Sequence, residues 1–286
     1  MRVLITGATG FAGRHLAAAC EAAGDEVVPA SRAAGVDLLD PEQARAAVAE
    51  ARPDVVYHLA ARAHVGESWE QPAAFLDDNL GLALNVLEAV RAEAPGATVL
   101  AAGSGEVYGP PERLPVDESA PLRPQNPYAV SKAAADLLAG FYADAHGLRV
   151  VRARAFNHGG PGQEPTYAIS SFCRQVANGA TRIITGNPDT RRDYTDVRDV
   201  VRAYRLLGER GEPGVYNICS GRTASAAELV RMLGAEHEID PALVRAHEVA
   251  EVRGSPERLR AATGWEPEVP LERTLADTVA SWRERL

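Results

Sequence analysis

Short apolar blocks alternate along the first half of the chain with stretches of helical spacing. RVLIT at 2–6, EVVPAS at 26–31, DVVYHLAA at 54–61, ATVLAAGS at 97–104 and RVVRARAFN at 149–157 read as strands buried on both faces. Between them, GRHLAAACEAAG at 13–24, PEQARAAVAEAR at 41–52, NLGLALNVLEAVRAEA at 79–94 and NPYAVSKAAADLL at 126–138 carry helical periodicity. Gly24 stops the first helix and Pro41 opens the second. Regular strand–helix alternation predicts an α/β fold: parallel strands, right-handed crossovers and helices on both faces, a doubly wound sheet.

After residue 156 the alternation breaks up. YAISSFCRQVANG at 167–179 is helical, and RRDYTDVRDVVRAYRLLGERG at 191–211 contains a long helix. GVYNICSG at 214–221 reads as a strand, and SAAELVRMLG at 225–234 as a helix opened by a Ser225/Glu228 capping box. The pattern divides the chain into a regular part over 1–156, to which 193–216 returns, and a smaller, less regular part over 157–192 and 217–286 that covers the C-terminal edge of the sheet, where ligands bind in such folds. The Pro-rich stretch at 108–127 is a long loop, a length that usually signals function.

Composition adds exclusions. The 286 residues are 46% hydrophobic and 24% charged, ordinary for a globular protein, and the formal charge is −9. No basic footprint for nucleic acid is present, and no apolar run reaches membrane-spanning length. Cys20, Cys173 and Cys219 are widely spaced, with neither metal-ligand nor disulfide spacing, so no metal and a reducing compartment are expected. The opening MRVLITGATG is a strand and a Gly loop rather than a secretory signal, so a cytoplasmic location is expected.

The chemistry begins in that loop. GATGFAG sets Gly7, Gly10 and Gly13 between the first strand and the first helix, with Phe11 among them. Glycines there let backbone approach a pyrophosphate, and the helix N-terminus supplies N–H groups to it. In that context a Rossmann-type dinucleotide site is expected. Further on, Tyr128 precedes Lys132 by four residues, which sets both on one helix face. A lysine beside a phenol favours the phenolate, so the tyrosine pKa is expected to fall and the group to exchange protons near neutral pH.

The spacing G-x-x-G-x-x-G resembles the short-chain dehydrogenase/reductase superfamily in its extended, nucleotide-sugar branch, and further motifs match in order. DLLD at 37–40 resembles the segment whose acid, Asp37, reaches the adenine beside Leu38. HLAA at 58–61, with Leu59, Ala60 and Ala61, resembles the strand end that lines the cofactor. SGEVYG at 104–109 and YAVSK at 128–132 resemble the catalytic segments. The resemblance implies that Lys132 holds the nicotinamide ribose, Tyr128 exchanges the proton with the sugar oxygen and Ser104 orients that oxygen. Ser31 and Arg32 stand where NAD-preferring members carry an acid, and an arginine suits a 2′-phosphate, so NADP(H) is favoured over NAD(H).

Three stretches bear on the reaction. In SGEVYG, Gly105 replaces the Asp of glucose-type 4,6-dehydratases, leaving Glu106 as a base or a hydrogen-bonding residue. RAFNHGGPGQ at 154–163 resembles the GDP-4-keto-6-deoxy-D-mannose reductases; Asn157 would contact the nucleotide-sugar, while His158 reads as structural and GGPGQ also fits a plain turn cluster. RRDYTDVRD at 191–199 resembles the segment that sets an arginine on the diphosphate, with Arg192 preferred to Arg191. In the tail, Arg245 and Glu248 would hold diphosphate and ribose.

The resemblance thus implies NAD(P)H-dependent reduction of the C4 ketone of a GDP-4-keto-6-deoxy-D-mannose-type sugar, giving GDP-D-rhamnose. The alternatives are a redox-neutral 4-epimerase, a GDP-mannose 4,6-dehydratase or a non-catalytic nucleotide-sugar-binding subunit. It also implies a homodimer through the helices around 79–93 and Tyr128.

Overall fold

The computed structural model describes residues 1–244 and 249–285. Strand β1 (Arg2–Thr6) is buried over its last four residues and runs through the Gly loop into helix α1 (Phe11–Ala22). Strand β2 (Glu26–Ala30) follows, then α2 (Pro41–Ala51), whose first turn is capped by Asp40 accepting the N–H groups of Glu42 and Gln43. Strand β3 (Val55–His58) is wholly buried. A short α3 (Val65–Glu70) leads into α4 (Pro72–Glu93). Helix α4 starts seven residues before the periodic stretch at 79, because Pro72 fits the first helical turn. Strand β4 (Thr98–Ser104), α5 (Pro127–His146) and β5 (Arg149–Ala155) complete the first half.

The second half comprises β6 (Asn157–Gly159), α6 (Ala168–Ala177), β7 (Arg182–Thr185), β8 (Arg191–Asp196), α7 (Val197–Arg210), β9 (Gly214–Ile218), β10 (Thr223–Ser225), α8 (Ala226–Met232), β11 (Glu236–Ile239), β12 (Glu251–Val252), α9 (Glu257–Thr263) and α10 (Leu271–Arg283). The Ser225/Glu228 capping box forms as the pattern indicates. Strand β8 was not visible in the periodicity because it is polar: Asp193 is fully buried in it. Its carboxylate accepts the N–H groups of Ser220, Gly221 and Gly254 at 2.8, 2.9 and 3.2 Å and the Ser220 hydroxyl at 2.7 Å. Four donors replace the water that burial removes.

The main sheet is parallel throughout, in the order β2-β1-β3-β4-β5-β9. Successive side chains point to opposite faces. Val3 and Ile5 join Leu16, Tyr57, Leu100, Leu207 and Trp265 on the face of α1 and α7. Leu4 joins Val48, Val56, Val90 and Tyr142 on the face of α2, α4 and α5. Helix α7 packs beside α1, and β9 adds the sixth strand. A smaller sheet of β6, β8, β10 and β12, the pair β7–β11, and helices α6 and α10 build a second region around Ile169, Phe172, Ile183, Leu229 and Leu275. Strand order reverses at β1, between β2 and β3, and in such sheets the crevice at that reversal is where ligands sit.

No helix among the described residues is long and apolar enough to cross a membrane. All three cysteines are buried and unbridged. Burial pushes the Cys20 thiol up to about 11 and the Cys173 thiol up to about 12, which makes both inert as nucleophiles.

Candidate active site

The crevice starts where β1 ends. The Thr6 hydroxyl accepts the N–H groups of Leu59 and Ala60, each at 3.1 Å, and its proton goes to His58 Nδ1 at 2.9 Å. His58 is therefore the neutral Nε2–H tautomer, and desolvation followed by the nearby Lys132 charge holds its pKa down near about 3. These bonds dock the β3 end onto the Gly loop. Gly7 adopts φ 69° and a Cβ there would lie 2.9 Å from Ala60 N. A Cβ on Gly13 would collide with Gly7 O and lie 2.8 Å from Ala8 Cα. Helix α1 begins at Gly10 with no side-chain cap, leaving its first N–H groups directed at the loop. An open helix N-terminus over a loop with no room for side chains fits a dinucleotide pyrophosphate. Gly13→Ala is accordingly expected to weaken dinucleotide binding about 10- to 100-fold, because backbone must move to admit the methyl. Titration by cofactor fluorescence checks it; unchanged affinity would remove the pyrophosphate from this loop.

The catalytic candidates converge on the same cleft, a cavity of about 350 Å³. Gly7, Gly10, Phe11, Gly13, Leu59 and Ala61 line one side of it; Ser104, Glu106, Tyr128, Lys132 and Asn157 line the other. Ser104 ends β4 and accepts the Glu106 N–H at 3.2 Å. Asn126 caps α5 through Ala129 N at 2.7 Å and donates to Glu106 Oε2 at 3.3 Å, so one side chain positions both the tyrosine helix and the carboxylate. Tyr128 lies in the first turn of α5, edge-on to Phe75. Lys132 Nζ donates to Ala102 O at 2.5 Å, tying α5 to β4.

The electrostatics differ from the expected lowering at Tyr128. Desolvation pushes the phenol up to about 12, the Ser104 hydroxyl draws it back only in part, and the Glu106 carboxylate raises it further. Lys132 is itself held down near about 8 by desolvation, against the pull of Asp136. The reason is positional: the ammonium is directed to a β4 carbonyl rather than to the phenol.

Several other predicted residues lie off the cleft wall. Arg32 and Asp37 pair with each other at 3.4 Å on the surface just beyond β2, whose Ala30 O accepts the Gly7 N–H. Leu38 is buried in the core of the α2 and α4 face, and Ala60 faces a small, mostly apolar pocket behind β4. Arg192 donates to Val249 O at 2.8 Å, and Arg191 is paired with Glu228 at 3.0 Å. Arg245 and Glu248 lie outside the described residues. Conversely, Gln163, Tyr167 and Tyr204 line the cleft although no motif reading selected them. Gln163 stood in the quoted GGPGQ stretch; Tyr204 faces the crevice from a helix whose periodicity signals only core. His158 donates Nδ1–H to Phe156 O at 3.0 Å and stacks on Phe11, consistent with a structural role.

Comparison with known proteins gives the family. The model of the NAD dependent epimerase/dehydratase family matches residues 3–219. The GDP-6-deoxy-D-mannose reductase of Pseudomonas aeruginosa is 40% identical, over 100% of this chain and 98% of its own. The NADPH-complexed structure of RMD from Pseudomonas aeruginosa superposes with a TM-score of 0.91 at 38% identity, covering 100% of both chains. The NAD complex of Thermus thermophilus UDP-glucose 4-epimerase does so with a TM-score of 0.90 at 32% identity, again over 100% of both. The chain belongs to the NAD dependent epimerase/dehydratase family.

Proposed function

We propose that the protein reduces the C4 ketone of a GDP-4-keto-6-deoxy-D-mannose-type nucleotide-sugar to give GDP-D-rhamnose. The observation that carries this reading is the convergence of Ser104, Tyr128 and Lys132 on the cleft that the Gly loop opens, in a chain 40% identical throughout to a GDP-6-deoxy-D-mannose reductase. A bound NADPH supplies the hydride. Tyr128, kept protonated by its desolvated setting, gives its proton to the carbonyl oxygen; Ser104 hydrogen-bonds that oxygen, and Lys132 binds the nicotinamide ribose. The main sheet with α7, β9 and the 259–265 segment forms the dinucleotide half, and the smaller sheet that includes β8, with α6, α8 and α10, the substrate half, which shifts the boundaries expected at 193–216 and 217–286. Asn157 and Arg192 are the proposed substrate contacts, and Arg245 and Glu248 further ones.

Gly105 favours reduction over glucose-type dehydration. The second carboxylate such an elimination uses is absent, and a Cβ there would lie 3.0 Å from the Phe156 ring, which would have to shift to admit it. A redox-neutral 4-epimerase is the second reading, supported by the Thermus thermophilus structure. Absorbance at 340 nm after substrate addition separates them: a reductase consumes NADPH stoichiometrically, an epimerase shows no net change.

For the cofactor, NADPH is expected to bind about 10-fold more tightly than NADH, and Arg32→Ala to erase that difference. The Arg32–Asp37 pair is exposed, so exchanging Asp37 for a phosphate costs little. A wild-type preference for NADH would refute the 2′-phosphate role. A homodimer is part of the proposal. Leu76, Leu80 and Leu84 on α4 and Val130, Leu137 and Phe141 on α5 form adjacent exposed apolar stripes, which a second copy would cover. Light scattering showing a monomer at micromolar concentration would reject it. Three buried thiols suit a cytoplasmic location.

A further inference from the structure

Gln163 is 4% exposed and lines the cleft. Its amide has a fixed sense: Nε2 donates to His158 O at 2.9 Å, which assigns the other atom as the carbonyl oxygen. That Oε1 has no partner among the described residues. A buried carbonyl left unpaired is unfavourable, and a group in a ligand site with this defect is waiting for a donor. The residue is also held in place. Its backbone carbonyl accepts the Ser170 hydroxyl at 2.6 Å, and Ser170 accepts Trp282 Nε1 at 3.0 Å.

The loop that carries Gln163 is fastened to the dinucleotide loop. Arg14 bridges Thr9 O at 2.7 Å and Gly162 O at 3.3 Å. His15 Nε2 donates to Pro161 O at 2.9 Å, and the His158 ring stacks on Phe11. Gln163 is thus registered to the start of α1 as well as to α6 and α10. We infer that Gln163 is a cofactor-reading residue whose Oε1 accepts an N–H of the nicotinamide carboxamide. The inference rests on the nicotinamide-binding half of the proposed function and not on which sugar is reduced.

The test measures cofactor binding without substrate, by quenching of protein fluorescence. It compares NADPH with reduced 3-acetylpyridine adenine dinucleotide phosphate, in which a methyl ketone replaces the carboxamide and no N–H remains. Wild type is expected to bind NADPH about tenfold more tightly than this analogue, the scale of one buried hydrogen bond. In Gln163→Met, of similar length but without the acceptor, the ratio should fall to near one. Equal binding of both cofactors by wild type overturns the inference even if the variant does not fold. A ratio that persists in a folded variant also overturns it. So does a variant whose NADPH affinity is unchanged while GDP binding weakens, since the oxygen would then serve the substrate. Absence of NADPH consumption with a 4-keto sugar would reject the reductase reading alone and leave this one standing.

Discussion

Tyr128→Phe is expected to lower kcat about 10²- to 10⁴-fold while the cofactor Kd changes less than about twofold. The substitution keeps the ring that packs edge-on to Phe75 and removes only the hydroxyl, so the loss falls on the chemical step. The direction of the phenol's pKa sharpens this. Held up near about 12, it is a neutral donor throughout the physiological range, as reduction of a ketone requires. The group that titrates in range is Lys132, lowered to about 8. Its charge is complete below that value and is lost as pH rises through it. Wild-type kcat should therefore fall above about pH 8. Single-turnover kinetics against pH read both effects. A Tyr128→Phe enzyme of near-normal kcat would move the proton donor elsewhere; a profile flat beyond pH 9 would detach Lys132 from the chemical step.

The first half of the fold was legible because its strands are buried on both faces. VLI within RVLIT and VVY within DVVYH are unbroken apolar runs, and Gly, Pro, Asn and Asp punctuate the stretches between strands. The cleft residues supplied by motif, from Gly7 to Lys132, were legible for a related reason: the Gly loop, HLAA and SGEVYG each span one strand end and the turn after it, and YAVSK opens a helix, so local sequence places each of them. What stayed hidden depended on distant partners. Strand β8 looked helical or irregular because Asp193 is satisfied by Ser220, Gly221 and Gly254, which no local window contains. Gln163 in a Gly-Pro turn signals only a turn until the loop is seen fastened to Arg14 and His15. The direction of the Tyr128 shift was missed for the same reason. Helical spacing puts Lys132 on the right face, but only the fold shows its ammonium bonded to Ala102 O.

Asp136→Ala is expected to destabilise the protein by roughly 3–5 kcal/mol, the scale of breaking a buried ion pair on one side. Asp136 stands one turn after Lys132 on α5 and is 4% exposed. Its carboxylate accepts two bonds from Arg154, at 3.0 and 2.8 Å, and a longer one from Arg152 at 3.3 Å. Arg154, equally buried, also donates to the Tyr108 hydroxyl at 2.9 Å. That hydroxyl donates to Asn217 Oδ1 at 2.7 Å, and Asn217 Nδ2 reaches Val116 O at 3.0 Å. The chain of bonds joins the catalytic helix to β5, β9 and the long loop after β4. Burial alone would drive Arg154 toward its neutral form, yet the Asp136 carboxylate holds it firmly protonated. Removing Asp136 leaves that charge in the interior without its counter-ion, whereas removing both partners removes the problem. Asp136→Leu with Arg154→Met should consequently cost less than the two single changes summed. Urea unfolding of the four proteins of this cycle measures the coupling. Single-variant losses below about 1 kcal/mol, or strict additivity in the double variant, would show that the network does not hold α5 in place. A coupled network would mean that the lysine of the active site stands on a helix whose position is set by ion pairing behind the sheet.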